Sequence, residues 1–325
     1  MELGLSLPQI GDLATPDNVV HVARSAESIG FDSLWVMDRL LRPTQPRDPY
    51  PGTPDLSWPQ SFSSCLDPLE TLTFAAAHTR RVTLGTSTLN MPWYRPLTLA
   101  RRLATLDVLS NGRLRVGVGL GWSQDEFEAL GLSTRGLGRR LDDQLDALEA
   151  IWADGQVCFN GDGYRIAPSE IGPKPVGGAR PPLYLGGFTE ASLQRVARRG
   201  DGWLTVFLPR DLVAANFERI QQLATESQRD PDALRLVVRA NPMVSDTRVT
   251  DGSSPFHGTI EQIADEIKRY EDIGTHEMHI DLQFSPGLTS TPALLDTAAQ
   301  IHDRVDSTRH QRRPTLVGAA AAENR

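Results

Sequence analysis

The sequence predicts an α/β chain of the TIM-barrel class, a (β/α)8 barrel with loop insertions, and three observations carry that prediction. Short apolar strands alternate with longer amphipathic helices along the whole chain, giving eight strand–helix units. The 325 residues, 39% of them hydrophobic, suffice to bury the core of one large α/β barrel. No linker-like shift in composition splits the chain, which disfavours the competitor, a doubly wound sheet of about two domains.

The elements follow in order. L-G-L-S-L-P (3–8) is a strand, and Thr15, Pro16 and Asp17 open a helix that ends at Gly30. S-L-W-V-M-D (33–38) is the second strand. Residues 41–66, with six prolines, form a long loop. A helix from Pro68 leads to R-V-T-L-G-T-S (81–87), and another from Pro96 stops at Asn111-Gly112. R-L-R-V-G-V-G-L-G (113–121) is the fourth strand, although Gly117, Gly119 and Gly121 weaken it. A row of glycines implies that a chain segment or a flat ligand lies against the backbone. Ser123-Gln-Asp-Glu126 fits a capping box, so the chain turns into a helix after Trp122. Residues 140–152 are a periodic helix, and 157–175 contain a hairpin-like insertion. Strands at 182–187, 202–206, 234–240 and 277–282 alternate with helices to Gly200, over 211–228 and over 259–273. A last helix covers roughly 291–306. Residues 1–306 are thus expected to form one catalytic barrel, and the polar, then Ala-rich 307–325 a disordered tail.

The formal charge of −8 gives no reason to expect nucleic acid or an anionic membrane as partner. No apolar run reaches the roughly 18 residues of a membrane span, and the N-terminus is not a signal peptide. Cys65 and Cys158 match no metal or redox spacing and read as reduced thiols of a cytoplasmic protein.

In such a barrel the site lies at the C-terminal ends of the strands. Those ends carry Asp38-Arg39, Ser87-Thr88-Leu89-Asn90, Gly119-Leu120-Gly121-Trp122, Gly186-Gly187-Phe188-Thr189 and Phe207. No set of carboxylates at several strand ends suggests a glycosidase. His276 and His279 sit too near a strand start to be obvious metal ligands, and no metal site is expected. No G-x-S-x-G elbow occurs. Little acid–base machinery beside backbone-exposing loops points to a bound cofactor that carries the chemistry. G-V-G-L-G-W is not a dinucleotide fingerprint, because its third glycine would fall on Trp122. Gly186-Gly187-Phe188-Thr189 is a better candidate: exposed N–H groups and a helix N-terminus suit a phosphate.

Several segments resemble the bacterial luciferase-like superfamily, most closely its branch that uses the deazaflavin coenzyme F420. They are G-F-D-S-L-W-V-M-D (30–38), L-G-T-S-T-L-N-M-P (84–92), G-R-L-R-V-G-V-G-L-G-W-S-Q-D-E-F-E-A-L-G (112–131), P-P-L-Y-L-G-G-F-T-E-A-S-L-Q-R-V-A-R-R-G-D-G-W (181–203) and H-G-T-I-E-Q-I-A-D-E-I (257–267). The resemblance implies a ring lying in the barrel mouth, with Gly119 and Gly121 letting the backbone approach it and Asp38 nearby. It places a non-proline cis bond at Ser87–Thr88, adds Asn90 to the ring's surroundings, and gives the phosphate to Gly186, Gly187, Phe188 and Thr189.

Two departures matter. Relatives that oxidise sugar phosphates have His and Glu where this chain has Arg39 and Trp122. Trp122 then walls the substrate pocket or anchors the core, and Glu126 is the capping-box acid or a proton donor. The loop 42–52 with Trp58 is a candidate lid or a packed surface loop, and Tyr94 and Arg95 are further candidates to meet substrate. The expected activity is hydride transfer between coenzyme F420 and a small organic substrate, with reduction of a polarised double bond favoured. There Arg39 would polarise the acceptor and Glu126 or water would give the proton. One alternative is an FMN-dependent monooxygenase fed with reduced flavin by a partner reductase; another is a non-catalytic flavin-binding protein. The resemblance suggests a homodimer, with a flavin or F420 reductase as transient supplier.

Overall fold

A computed structural model describes residues 1–53, 55–178, 180–250 and 255–312, the last six of these by their backbone alone. Eight strands alternate with eight long helices: β1 (Glu2–Ser6), α1 (Pro16–Ile29), β2 (Ser33–Val36), α2 (Pro68–His78), β3 (Thr83–Thr86), α3 (Pro96–Leu109), β4 (Leu114–Gly119), α4 (Leu137–Trp152), β5 (Leu183–Leu185), α5 (Glu190–Arg199), β6 (Gly202–Val206), α6 (Arg210–Glu226), β7 (Arg235–Ala240), α7 (Ile260–Glu271), β8 (Glu277–Ile280) and α8 (Thr291–Arg312). Every neighbouring pair is parallel, β1 pairs with both β2 and β8, and β3 pairs with β4, so the sheet closes into a barrel. The helices cover its outside, which is the TIM-barrel architecture. The last helix runs to Arg312, past the expected end at 306. The expected disorder of 313–325 lies outside the described residues.

Local chemistry accounts for the boundaries. The Thr15 side chain accepts from Asn18 N, Pro16 opens α1, and Gly30 ends it with φ 114°, a conformation that favours glycine. Thr259 and Gln262 form a reciprocal capping box on α7. The insertion after α4 is an antiparallel pair, Val157–Gly161 with Tyr164–Ser169.

Two apolar layers follow from strand alternation. Side chains facing outward join the helices in the main core, while Trp35, Tyr184, Leu204 and Val237 fill the barrel. His279 stacks on Trp35 with centroids 4.5 Å apart and an interplanar angle of 14°. Burial holds its imidazole neutral, with a pKa well below the ordinary value. Below it Glu277, fully buried, accepts from Ser33 Oγ and from Trp35 Nε1 at 3.0 Å, and pairs with Arg115. This end of the barrel is opposite the expected site and serves stability.

The glycine row in β4 has separate causes. A Cβ on Gly117 would lie 1.9 Å from the Thr86 carbonyl oxygen, because β3 ends there and the Thr86 hydroxyl bridges to Gly117 N and O. A Cβ on Gly119 would meet Thr88 Oγ1 at 2.4 Å. Gly121 has φ +73° and sits against Phe127 and Trp93. A chain segment therefore occupies the space beside each of them.

The close approach at Gly117 makes a prediction. Gly117→Ala should lose about 1–3 kcal/mol or more, since backbone rather than a rotatable side chain must move. Gly131→Ala, at φ +66° with nothing within 4 Å, should lose only about 1 kcal/mol. Urea unfolding of both variants checks this; equal losses would remove the close approach as the cause.

Candidate active site

The C-terminal strand ends converge as the sequence predicts, and Asp38 stands at their centre. Asn90 N donates to Asp38 Oδ2 at 2.9 Å and the Tyr94 hydroxyl donates to the same oxygen at 3.1 Å. Asn90 Nδ2 donates to the Asp38 carbonyl at 3.1 Å. The side chain is buried, and its Oδ1 has no hydrogen bond among the described residues. Burial first, with the negative charges of Asp67 and Glu126 adding to it, pushes the carboxyl up to about 7 against the two hydrogen bonds. The Cys65 thiol lies in the same surroundings and is pushed up to about 12, so it is inert.

Arg39 and Glu126 reach each other. Arg39 Nη1 donates to Glu126 Oε2 at 2.6 Å, and Leu40 N donates to Oε1 at 2.8 Å. Their side chains are 9% and 1% exposed, so the pair is desolvated. The capping-box role read for Glu126 is thereby corrected: Ser123 makes no cap bond, and the carboxylate serves the β2 end instead of the helix Gln124–Ala129. Three rings surround the guanidinium, with Trp58 at 5.0 Å, Phe62 at 5.2 Å and Trp122 at 5.3 Å. Trp58, Phe62 and Tyr50 come from the proline-rich loop, which packs with Ile10 and Met37 into a small core of its own. Trp58 Nε1 closes that loop on the Asp48 carbonyl at 2.8 Å. This is the packed-loop alternative of the two readings given above. Trp122 remains 37% exposed on the mouth side of the cage.

Ser87–Thr88 is a cis peptide. Ser87 Oγ is buried and has no partner. Leu89 and Asn90 extend the sheet beside Val118 and Gly119. On the next strand, Gly187 has φ +126°, and a Cβ there would lie 2.6 Å from Ser192 Cβ, so the position admits only glycine. Trp203 Nε1 donates to its carbonyl at 3.0 Å. Thr189 caps α5 by accepting from Ser192 N, while Phe188 is half exposed beside it. Gly186 is roomier: a Cβ there would come no closer than 3.4 Å to the surrounding atoms, the nearest being the Val118 carbonyl oxygen. This cradle, the orphaned Ser87 hydroxyl and the first-turn amides of α5 fit a flat ring carrying a phosphate.

The sequence reading missed the opposite side of the mouth. Arg239, at the end of β7, donates from Nη1 to the Ser87 carbonyl at 3.1 Å, from Nε to Asn241 Oδ1 at 3.0 Å and from Nη2 to Asp281 Oδ2 at 2.6 Å. It tethers three strand ends. A cavity of about 460 Å3 adjoins it, between the ends of β6 and β7 and the segments 51–53 and 255–257. An arginine inside R-A-N-P-M-V carries no local signal, because its partners are far away in sequence. His276 and His279 are not brought together as ligands: His276 Nδ1 accepts from Leu236 N. No helix among the described residues is long and apolar enough to cross a membrane.

The comparisons give the family. Residues 3–250 match the luciferase-like monooxygenase family, and the chain belongs to it. The chain is 35% identical over 224 residues to an uncharacterized protein of Mycobacterium tuberculosis, covering 68% of this chain and 79% of that one. It is 28% identical over 194 residues to the F420-dependent glucose-6-phosphate dehydrogenase of Amycolatopsis mediterranei, 58% of this chain and 53% of that one. It is 37% identical over 117 residues to the FMNH2-dependent dimethylsulfone monooxygenase of Pseudomonas fluorescens, 35% and 31% of the two chains. A monooxygenase structure from Streptomyces bottropensis shares the fold, with TM-score 0.76 and 22% identity over 95% of this chain and 100% of that one. The family thus contains both F420-dependent and FMN-dependent relatives.

Two predictions follow from the site's electrostatics. Because Gly187 admits no side chain, a charge is better introduced at Phe188. Phe188→Asp at about 4 Å from a bound phosphate adds roughly 4 kcal/mol of repulsion before screening. Coenzyme affinity should fall by about tenfold or more, while the ligand-free melting temperature holds; unchanged affinity would place the phosphate elsewhere. The second concerns pH. The folded-state pKa of Asp38 is raised, so its contribution to stability is full below about 4 and disappears as pH rises to about 7. Asp38→Asn should flatten the fall in denaturant midpoint across that window, and a variant as pH-sensitive as the parent would contradict it.

Proposed function

We propose that the chain is a coenzyme F420-dependent oxidoreductase that reduces a polarised double bond in a small organic molecule. The observation that carries this reading is the pairing of both mouth arginines with buried carboxylates while Asp38 keeps an unbonded oxygen. Glu126 is held in an ion pair, so Asp38 replaces it as the proton source. Asp38 Oδ2 accepts two hydrogen bonds, which leaves Oδ1 as the place for a proton. With the carboxyl near 7, a large share of Asp38 is neutral at physiological pH and can donate.

Asp38, Ser87, Thr88 and Asn90 would hold the ring, and Gly186, Gly187, Phe188 and Thr189 the phosphate; Gly119 and Gly121, expected beside the ring, instead make room for Thr88 and for Phe127 and Trp93. The bound coenzyme supplies the hydride. Arg39 keeps the β2 end in place and, with Trp122, walls water out. A sugar phosphate placed beside Arg39 or Arg239 would meet a guanidinium already answered by a carboxylate. Likeness to the F420-dependent dehydrogenase supports the deazaflavin. The 37% identity to the FMNH2-dependent monooxygenase favours a second reading, in which FMN replaces it and a reductase supplies reduced flavin. A homodimer is part of the proposal under either cofactor.

Steady-state assays decide. Reduced F420 with 2-cyclohexen-1-one should turn over, and oxidised F420 with glucose 6-phosphate should be slower by about 100-fold or more, the scale of a missing acid–base or binding group. The reductive kcat should decline above about pH 7 as Asp38 loses its proton, and Asp38→Asn should abolish that limb. Rapid sugar-phosphate oxidation would overturn the reading.

A further inference from the structure

The cavity beside the mouth has a composition that selects its occupant. Val206, Phe207, Leu208, Val213, Val238 and Phe256 give it apolar walls. Among the described residues, Arg239 is the one arginine or lysine that lines it, and no carboxylate does. That arginine is already bonded to Ser87, Asn241 and Asp281. Asn241 is different. Its Oδ1 accepts from Arg239, but its Nδ2 is buried with no partner among the described residues. An unsatisfied buried N–H carries its desolvation cost uncompensated, so a ligand that accepts from it gains that bond at little further desolvation.

Strand geometry orders the space. Arg239 pairs in register with Val206, and Val238 with Thr205. Alternation therefore puts Asn241 on the inward, mouth-facing side with Arg239, and Thr205 and Val238 on the side toward the helices. The Arg239 bond to the Ser87 carbonyl sets the Asn241 end beside the cis peptide. The volume of about 460 Å3 is within the range of small-molecule sites, roughly 300–1,000 Å3.

We propose that this cavity binds an uncharged, largely apolar carbonyl compound, its oxygen accepting from Asn241 Nδ2 and its hydrocarbon body lying over Val206 and Phe207. That the compound is a substrate rests on the reductase reading; the site itself does not.

The test is calorimetric titration of the full chain, without coenzyme, by carvone and by limonene, which share a carbon skeleton and differ in the carbonyl oxygen. Carvone should bind about five- to tenfold more tightly, the worth of one hydrogen bond. Asn241→Asp keeps the acceptor for Arg239 but offers no N–H, and should bring carvone down to the affinity of limonene. Asn241→Leu should do the same, with circular dichroism checking its fold. Equal affinities for the two terpenes, no carvone binding, an unaffected Asn241→Asp variant, or displacement of carvone by glucose 6-phosphate would each overturn the proposal. Binding as expected without turnover by reduced F420 or FMN would uphold the site and reject the reductase reading.

Discussion

The mouth of this barrel depends on two buried arginine–carboxylate pairs, and each holds strand ends that the sheet itself no longer connects. Arg239 joins the ends of β3, β7 and β8 through Ser87, Asn241 and Asp281. Arg39 joins the end of β2 to the helix Gln124–Ala129 through Glu126. Desolvation makes such pairs poor sources of net stability, yet removing one partner strands a buried charge at a cost of about 3–5 kcal/mol. Their effect is therefore to fix geometry. They also withdraw the arginines from ligand binding, so under the proposed reading a phosphate would fall to the backbone amides and the dipole at the start of α5.

Asp38 shows the complementary principle. It faces no cation directly, sits with Asp67 and Glu126 on the same side of the balance, and is buried. The two hydrogen bonds it accepts favour its charged form but do not outweigh desolvation. A carboxyl thus poised near neutrality can hold or release a proton with little driving force, which is the requirement for a general acid. Tyr94 connects it to a second, smaller cavity beside α4, because the same tyrosine lines that space.

The strand–helix alternation and the strand-end residues were legible because they are local: periodicity, caps and turn residues act within a few positions. The barrel order follows from parallel connections, and Asp38, Asn90 and the Gly186–Thr189 turn lie at strand ends by sequence alone. What failed did so where a distant partner displaced a local one. Ser123 and Glu126 have capping-box spacing, but Arg39 and the Leu40 amide, over eighty residues away, capture the carboxylate. Arg239 and Asn241 gave no signal because their roles exist only through Ser87 and Asp281. The glycine row gave a true signal with three different causes, and only the folded chain separates a strand carbonyl from a threonine hydroxyl or a left-handed turn.

These facts divide the mouth into unlike halves. The ends of β3 and β5 present small hydroxyls, Gly186 and helix-terminal amides, which suit an anionic, planar partner. The ends of β6 and β7 open on an apolar cavity whose one cation is already paired. The Arg239 bond to the Ser87 carbonyl lies on the seam. Hydride transfer requires two reactants held face to face without water between them. Under the proposed reading, a seam with a backbone-lined half on one side, an apolar half on the other and Asp38 as the proton-holding carboxyl would meet that requirement through the protein's own groups. The choice between deazaflavin and flavin would change what is transferred across the seam without requiring it to be built differently, which is why one fold serves relatives of both kinds.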